Sequence, residues 1–529
     1  MSEGRDRSLP AWRAAWEPRL PLVAGVAVGA IALAAITPVP VGVFWDDGVY
    51  LIGAKALASG QGYRFVHLPG APPAVHFPPA YSALLALVWV LLPDFPASVP
   101  WLKLVNPLLL GAGAALACAF GVRRLALPPL VAVLAVVVVT ASLPLLVVTG
   151  VLFSEPLFVV ALFGALALAV RAEETGGWRW ALAAGLAAGG LALVRTAGLA
   201  LVPALVLALA LARRPRAALV AAAAALGAIL PWQLWVAARA AELAAPLHGS
   251  YGPYLDWVLA LYRERGAGFA LTIARENVLA LVRTLGITLF PFGPRALRPL
   301  LVALVVVVAG VALLAAWRRA RAAPLFLGCY GALVLVWPYA PDRFLWAVWP
   351  LAGLLIALGA VECWRLGAAR RAGAGVRASA ALACAVGAAA LAGHAAYSVR
   401  GVARHWSDAA ARTNAAALVP VADWVVRHTR PLDIVACDGE PFVHLYTGRI
   451  VVPVHILTPD EYLAGTPLEQ AAADLRALFT AHRPRYAVFS AAAPQRAAAS
   501  LLDGAGGTPR LVLLDTLPGG GAAFRVEIP

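Results

Sequence analysis

Two adjacent carboxylates, Asp46 and Asp47, stand in VFWDDGVYLIGAKALASGQGY (residues 43–63), directly after the first hydrophobic run of the chain. An aspartate so placed can serve as a general base, taking a proton from a hydroxyl as it attacks. It can also be purely structural, with Asp46 accepting the first backbone N–H groups of a helix and Asp47 complementing the helix dipole. One carboxylate is enough for a cap worth about 1 kcal/mol. A second charge held at an apolar boundary, where carboxylates are expensive, points toward function. Capping and catalysis can coexist.

Cations and rings accumulate around the pair. Lys55 lies in the same stretch, His76 and Tyr81 lie in AVHFPPAYSALLAL, and Arg64 and His67 sit in the intervening turn. Together they can form a pocket for an anionic headgroup, or they can be an ordinary interfacial belt of Tyr, His and Arg. Further on, Glu155 in FSEPLF reads as a helix start between Ser154 and Pro156. Arg195 in LVRTAG and Arg343 in YAPDRFLWAVWP can snorkel to an interface or clamp a phosphate. A divalent cation near Asp46, Asp47 and Glu155 is chemically admissible, although no ligand spacing demands one.

These groups need a scaffold, and the composition names its solvent. Hydrophobic residues make up 62% of the 529 positions and charged ones only 13%, with mean hydropathy +0.81. Such values define a polytopic membrane protein. The net charge of +15, from 42 Lys and Arg against 27 Asp and Glu, comes from short clusters between apolar runs, such as Arg213/Arg214/Arg216 and Arg318/Arg319/Arg321. The positive-inside rule assigns such clusters to cytoplasmic loops. Topology therefore explains the charge, and no nucleic-acid partner is needed.

Apolar runs at 20–38, 103–121, 125–149, 151–170, 180–194, 197–212, 217–239, 299–316, 323–340, 344–362 and 378–398 predict roughly eleven crossings. Arg195 divides the fifth from the sixth. The N-terminal segment 1–19 is then cytoplasmic, the first span is uncleaved, and 20–399 forms the membrane domain. Segments 39–102 and 240–298 become large outer loops, and 400–529 an outer domain. Apolar stretches within 39–102 suit two helices lying in the membrane interface. In the loop 240–298, Tyr251, Tyr254, Trp257 and Tyr262 can stack on sugar faces or anchor in the interface.

From about Arg400 the pattern changes. Helical spacing in AAALVPVADWVVRHT and PLEQAAADLRALFTAH alternates with the strand-like DIVAC, VVPVH, YAVFS, LVLLDTL and AAFRVEI, which predicts a small α/β domain. The glycines of DGAGGTP and LPGGGAA read as turns, since neither stretch leads into a helix as a phosphate-binding loop does. The five cysteines are widely spaced and predict neither a disulfide framework nor a zinc site.

The order of WDDGVY, HFPPAYSALLAL, SEPLF, LVRTAGL and RFLWAVWP, followed by DIVACDGEPFVHLYTGR in the terminal domain, resembles the GT-C superfamily of polytopic glycosyltransferases. The likeness is to the branch of protein O-mannosyltransferases and bacterial aminoarabinose transferases. The resemblance covers nearly the whole chain. It implies transfer of a sugar from a polyprenyl-phosphate donor to a lipid, glycan or protein hydroxyl, with inversion, on the outer face of the cytoplasmic membrane. It makes Asp46 the general base, with Asp47 beside it. Lys55, His76, Arg195 and Arg343 become candidates for the donor phosphate, and Tyr50, Arg64 and Tyr81 for sugar or acceptor contacts. Several relatives have Asp-Glu at the acidic pair and a Lys before the Pro-Pro, where this chain has His76 and Phe77. The rival class is a flippase or transporter of lipid-linked sugars, although the span interiors carry few charges and show no repeat.

Overall fold

The computed structural model describes residues 17–457, 461, 463, 465–490, 498 and 509–528. Most of the predicted cytoplasmic N-terminus and most of the DGAGGTP turn lie outside the described residues. Every one of the expected crossings corresponds to a helix or a bent helix pair. Among the described residues, six helices are each long and apolar enough to span a bilayer, including Val99–Arg123, Glu155–Thr175 and Asp342–Gly367, and a seventh span arises if the bent pair Pro129–Thr140 and Leu143–Gly150 counts as one. Shorter apolar helices, Leu20–Ala34, Trp178–Val194, Thr196–Leu211 and Ala322–Leu335, fill the remaining positions.

Local sequence explains the breaks. Pro144, in the first turn of Leu143–Gly150, has no N–H to bond back into the preceding helix, and with Ser142 extended at φ −81°, ψ 154° the pair bends by 54°. Arg195 is likewise extended, at φ −148°, ψ 134°, and divides Trp178–Val194 from the turn that follows. Small residues let the helices approach closely, as membrane packing requires. A Cβ on Gly185 would stand 2.3 Å from the carbonyl oxygen of Ala221.

The segment 39–102 contains two helices, Trp45–Ala58 and Ala80–Leu91, which pack on each other. The segment 240–298 is not a plain loop. It folds into helices His248–Tyr251, Tyr254–Arg265 and Phe269–Leu289, the last packing against Arg298–Arg319 and Ala374–Ala403. Its Leu and Ile residues recur at helical spacing, giving an apolar stripe interrupted by charges. Asn277 on that stripe donates to the carbonyls of Val334 and Trp337, both at 2.9 Å, and so caps the helix Ala322–Leu335.

After Ala403 comes a five-stranded sheet in the order β2-β1-β3-β5-β4, built from β1 (Ile434–Cys437), β2 (Ile450–Pro453), β3 (Tyr486–Phe489), β4 (Arg510–Leu517) and β5 (Gly521–Glu527). β1 runs parallel to β2 and β3, whereas β5 is antiparallel to β3 and β4. A short helix not foreseen from the pattern, Glu440–Thr447, joins β1 to β2. This sheet layer sits on the helix Trp45–Ala58. A Cβ at Gly48 would fall 2.6 Å from Pro441 Cβ, and Val451 N–H donates to His67 O at 2.8 Å.

Candidate active site

The structure separates the two aspartates. The helix starts at Trp45, and Asp47 in its first turn accepts the N–H groups of Gly42 at 2.7 Å, Phe44 at 2.8 Å and Gly48 at 3.0 Å. Asp47 is therefore the capping residue, and the capping role considered for Asp46 passes to its neighbour. Asp47 is completely buried, and burial pushes its carboxyl well above the usual range, against the pull of the three amides. Among the described residues it lines neither of the two cavities that Asp46 and Arg343 both border.

Asp46, one residue and about 100° further round the helix, faces the other way. Its Oδ2 accepts from Arg343 Nη1, and Oδ1 has no hydrogen-bond partner among the described residues. Arg343 also donates to Glu155 Oε1 from Nε at 3.1 Å and approaches it from Nη2 at 3.0 Å. Arg195 Nη1 reaches the same oxygen at 2.8 Å, and it donates to Ser154 Oγ at 3.2 Å. Ser154 Oγ in turn lies 3.1 Å from Tyr50 OH. Glu155 is fully buried, and its Oε2 has no partner among the described residues. The site thus holds two guanidiniums against two carboxylates, with the Arg343 guanidinium carbon over Phe153 at 3.9 Å from the ring centroid.

Two cavities meet at this pair. The first, about 190 Å³, is walled by Asp46, Tyr50, His76, Arg195 and Arg343 together with an aromatic set that includes Trp45, Tyr254, Trp337 and Tyr339. The second, about 620 Å³, shares Trp45, Asp46 and Arg343 but is otherwise mostly apolar, with Leu143, Val147, Ile287 and Trp346 in its wall. Within the first, His76 packs on Tyr254 at 4.2 Å, and Trp257 stacks on Tyr339 at 5.4 Å.

His76 lines the first cavity. Its Nδ1 lies 2.8 Å from Gly252 O, an atom that can only accept, so Nδ1 carries a proton. Burial lowers the ring's affinity for a second proton, outweighing Gly252 and Asp46, which pull the other way. Lys55 is turned away from the cavity, with Nζ 3.0 Å from His444 Nε2 in the terminal domain. Arg64 donates to Ala71 O at 2.9 Å within its own turn. Tyr81 donates to Asn106 Oδ1 at 2.9 Å beneath Tyr50. None of the last three lines either cavity.

The divalent cation expected near Asp46, Asp47 and Glu155 does not fit these residues. Asp47 is consumed by amides, while Asp46 and Glu155 are already neutralised by arginines. Among the described residues no three His, Cys, Asp or Glu side chains converge on one point. Sequence reasoning overlooked Trp45, Trp337 and Tyr339. The signal for Trp337 and Tyr339 was the density of rings in VWPYAPDRFLW beside Arg343, and for Trp45 its place directly before Asp46.

The layer of apolar helices, the helices Trp45–Ala58 and Ala80–Leu91 and the terminal sheet together make a multi-pass membrane fold that solved structures share. The chain is similar to the crystal structure of ArnT from Cupriavidus metallidurans bound to undecaprenyl phosphate, with 14% identity, TM-score 0.51 and 98% of each chain covered. It is equally similar to the apo form of that protein, with 14% identity, TM-score 0.52, and 97% of this chain and 98% of that one covered. No protein-family model and no curated protein sequence matches the chain.

Proposed function

We propose that the protein transfers a sugar, a hexose or pentose, from a polyprenyl-phosphate donor to an acceptor hydroxyl, with inversion and with Asp46 as general base. The observation that carries this reading is the Asp46–Arg343 pair standing in the wall common to both cavities. The fold shared with ArnT, which was crystallised with undecaprenyl phosphate, supports a lipid phosphate as the donor's anchor.

The reaction needs one base and one anion site. The acceptor oxygen forms a bond to the anomeric carbon as the bond from that carbon to the phosphate oxygen breaks. The hydroxyl proton passes to Oδ1 of Asp46, and the electron pair leaves on the polyprenyl phosphate. Arg343 fixes the Asp46 carboxylate by donating to its Oδ2, and with Arg195 it meets the charge that develops on the phosphate. Thr196, Trp337 and Tyr339 in the first cavity suit a sugar, and the apolar second cavity suits a prenyl chain. His76 contributes shape to the first cavity. The Asp46 side of the membrane is read as the outer face of the cytoplasmic membrane.

The test is transfer from radiolabelled polyprenyl-phosphate sugars in membranes, comparing the wild type with Asp46→Asn. Loss of a general base is expected to lower the rate by about 10²–10⁴-fold. Transfer at the wild-type rate by the variant would remove Asp46 from the mechanism. Movement of labelled lipid across the bilayer without a new glycosidic bond would favour the flippase. Labelling of a cysteine at position 46 only from the cytoplasm would overturn the orientation.

A further inference from the structure

A third cavity, about 350 Å³, lies between Asp46 and the terminal sheet, and its wall includes Trp45, Asp46, Tyr339, Asp438, Glu440 and His455. Its far side is built by strand ends. Asp438 directly follows β1, His455 lies just beyond β2, and Ser490 directly follows β3, and these three strands are adjacent and parallel. The crevice outside the carboxyl ends of parallel strands is where open α/β sheets bind ligands. Here that crevice opens onto the residue proposed as the base.

The polar groups are fixed in position. Asp438 Oδ2 accepts from Ser490 N–H at 2.6 Å and Oγ–H at 3.0 Å, and its Oδ1 has no hydrogen-bond partner among the described residues. Glu440 accepts from Trp45 Nε1 at 2.9 Å and from Tyr251 OH at 2.5 Å, so the terminal domain holds the indole that borders all three cavities. The shielded hydroxyl of Tyr339 has no partner among the described residues. It lines this cavity and the first.

Charge distinguishes this cavity from the first. Arg195 and Arg343 face the first cavity, whereas the third has three carboxylates in its wall. Among the described residues, the one ionisable cation in its wall is His455, already 3.0 Å from Glu461. Such a wall repels phosphate. Carboxylate acceptors beside indole and phenol rings match a sugar, whose hydroxyls donate and whose C–H faces stack on aromatics.

We infer that the third cavity is the acceptor site, and that the acceptor is an uncharged polyhydroxylated glycan or glycoside presented to Asp46 by the terminal domain. This rests on the transferase reading above. The test uses the full chain in membranes with radiolabelled polyprenyl-phosphate sugars. Two added acceptors are compared, octyl glucoside and octyl glucoside 6-phosphate, and transfer to endogenous membrane acceptors is read in parallel. Octyl glucoside is expected to be glycosylated and its 6-phosphate not. Asp438→Asn is expected to raise the KM for octyl glucoside about tenfold, the scale of one hydrogen bond to a charged group, with the KM for the donor unchanged. Asp438→Lys, whose folding is checked by thermal unfolding and undecaprenyl-phosphate binding, is expected to raise it further. Equal use of the phosphorylated acceptor, or unchanged acceptor KM in both folded variants, would overturn the inference. So would transfer to endogenous acceptors alone. Absence of transfer to any acceptor by the wild type would overturn the transferase reading and this inference with it.

Discussion

Arg343 donates to Asp46 across 297 positions of sequence. The same guanidinium grips the buried Glu155. One fork therefore ties the interfacial helix Trp45–Ala58 to the starts of two membrane helices, Glu155–Thr175 and Asp342–Gly367. The link is both structural and electrostatic, since it sets where Asp46 points and places a guanidinium against its carboxylate.

A point charge cannot replace that fork. Arg343→Lys retains the charge but loses the planar array that serves Asp46 and Glu155 together. Sugar transfer is expected to fall by about tenfold or more, with undecaprenyl-phosphate binding weakened. Wild-type transfer kinetics in the lysine variant would show that a positive charge alone suffices.

Glu155 is the buried counter-ion of two arginines. Glu155→Gln leaves Arg195 and Arg343 with excess charge in a shielded place, and breaking one partner out of such a group costs about 3–5 kcal/mol. Thermal unfolding of the detergent-solubilised protein is expected to shift down accordingly. An unshifted transition would mean that Glu155 is not the ionised partner the geometry requires.

The neighbouring aspartates should separate by phenotype. Asp47→Ala strips buried acceptors from Gly42, Phe44 and Gly48, and a single unsatisfied buried donor costs about 1–3 kcal/mol. Its folded fraction is expected to retain transfer, whereas Asp46→Asn is expected to fold normally and lose it. Reversed phenotypes would exchange the two roles.

Docking of the terminal domain should weaken in mild acid. His444 receives Lys55 Nζ at Nε2 and gives its Nδ1 proton to Arg449 O at 2.8 Å, so the folded ring is neutral. Burial, with help from Lys55, pushes its pKa down to about 4. His67 is pushed well down by burial, with His444 and Lys55 adding to the effect. The unfolded chain takes up these protons near the ordinary value of about 6.5. Between about 6.5 and 4 it therefore binds more protons than the folded chain, and stability is lost as pH falls through that window, by about 1.4 kcal/mol per unit per histidine. Thermal unfolding followed from pH 7 to pH 5 is expected to show this loss, and His444→Gln is expected to reduce it. A flat profile in the wild type would contradict the neutral pair.

Much of this was legible from residue order. A bilayer admits only apolar segments of about 20 residues with satisfied backbones, so the spans and their polar breaks stood out, Arg195 among them. Strand and helix periods likewise revealed the sheet. Lys55 was legible too: nine positions from Asp46 at about 100° each is half a turn out of phase, so the two cannot face one cavity. The helix Phe269–Leu289 was obscured by its charges, because an amphipathic helix lying against a membrane bundle resembles a polar loop in average hydropathy.

The sequence by itself determined a polytopic membrane protein, with an acidic pair after the first span and an α/β domain at the end, because solvent and backbone periodicity act locally. Tertiary structure alone decided which aspartate is free, which arginine holds it, and which cavities it borders. Gly42 and Phe44 amides capture Asp47, Arg343 arrives from a distant helix, and Glu440 fixes Trp45 from the terminal domain. Hydrogen bonds and ion pairs act over about 3 Å, and sequence distance carries almost no information about which groups the fold brings that close.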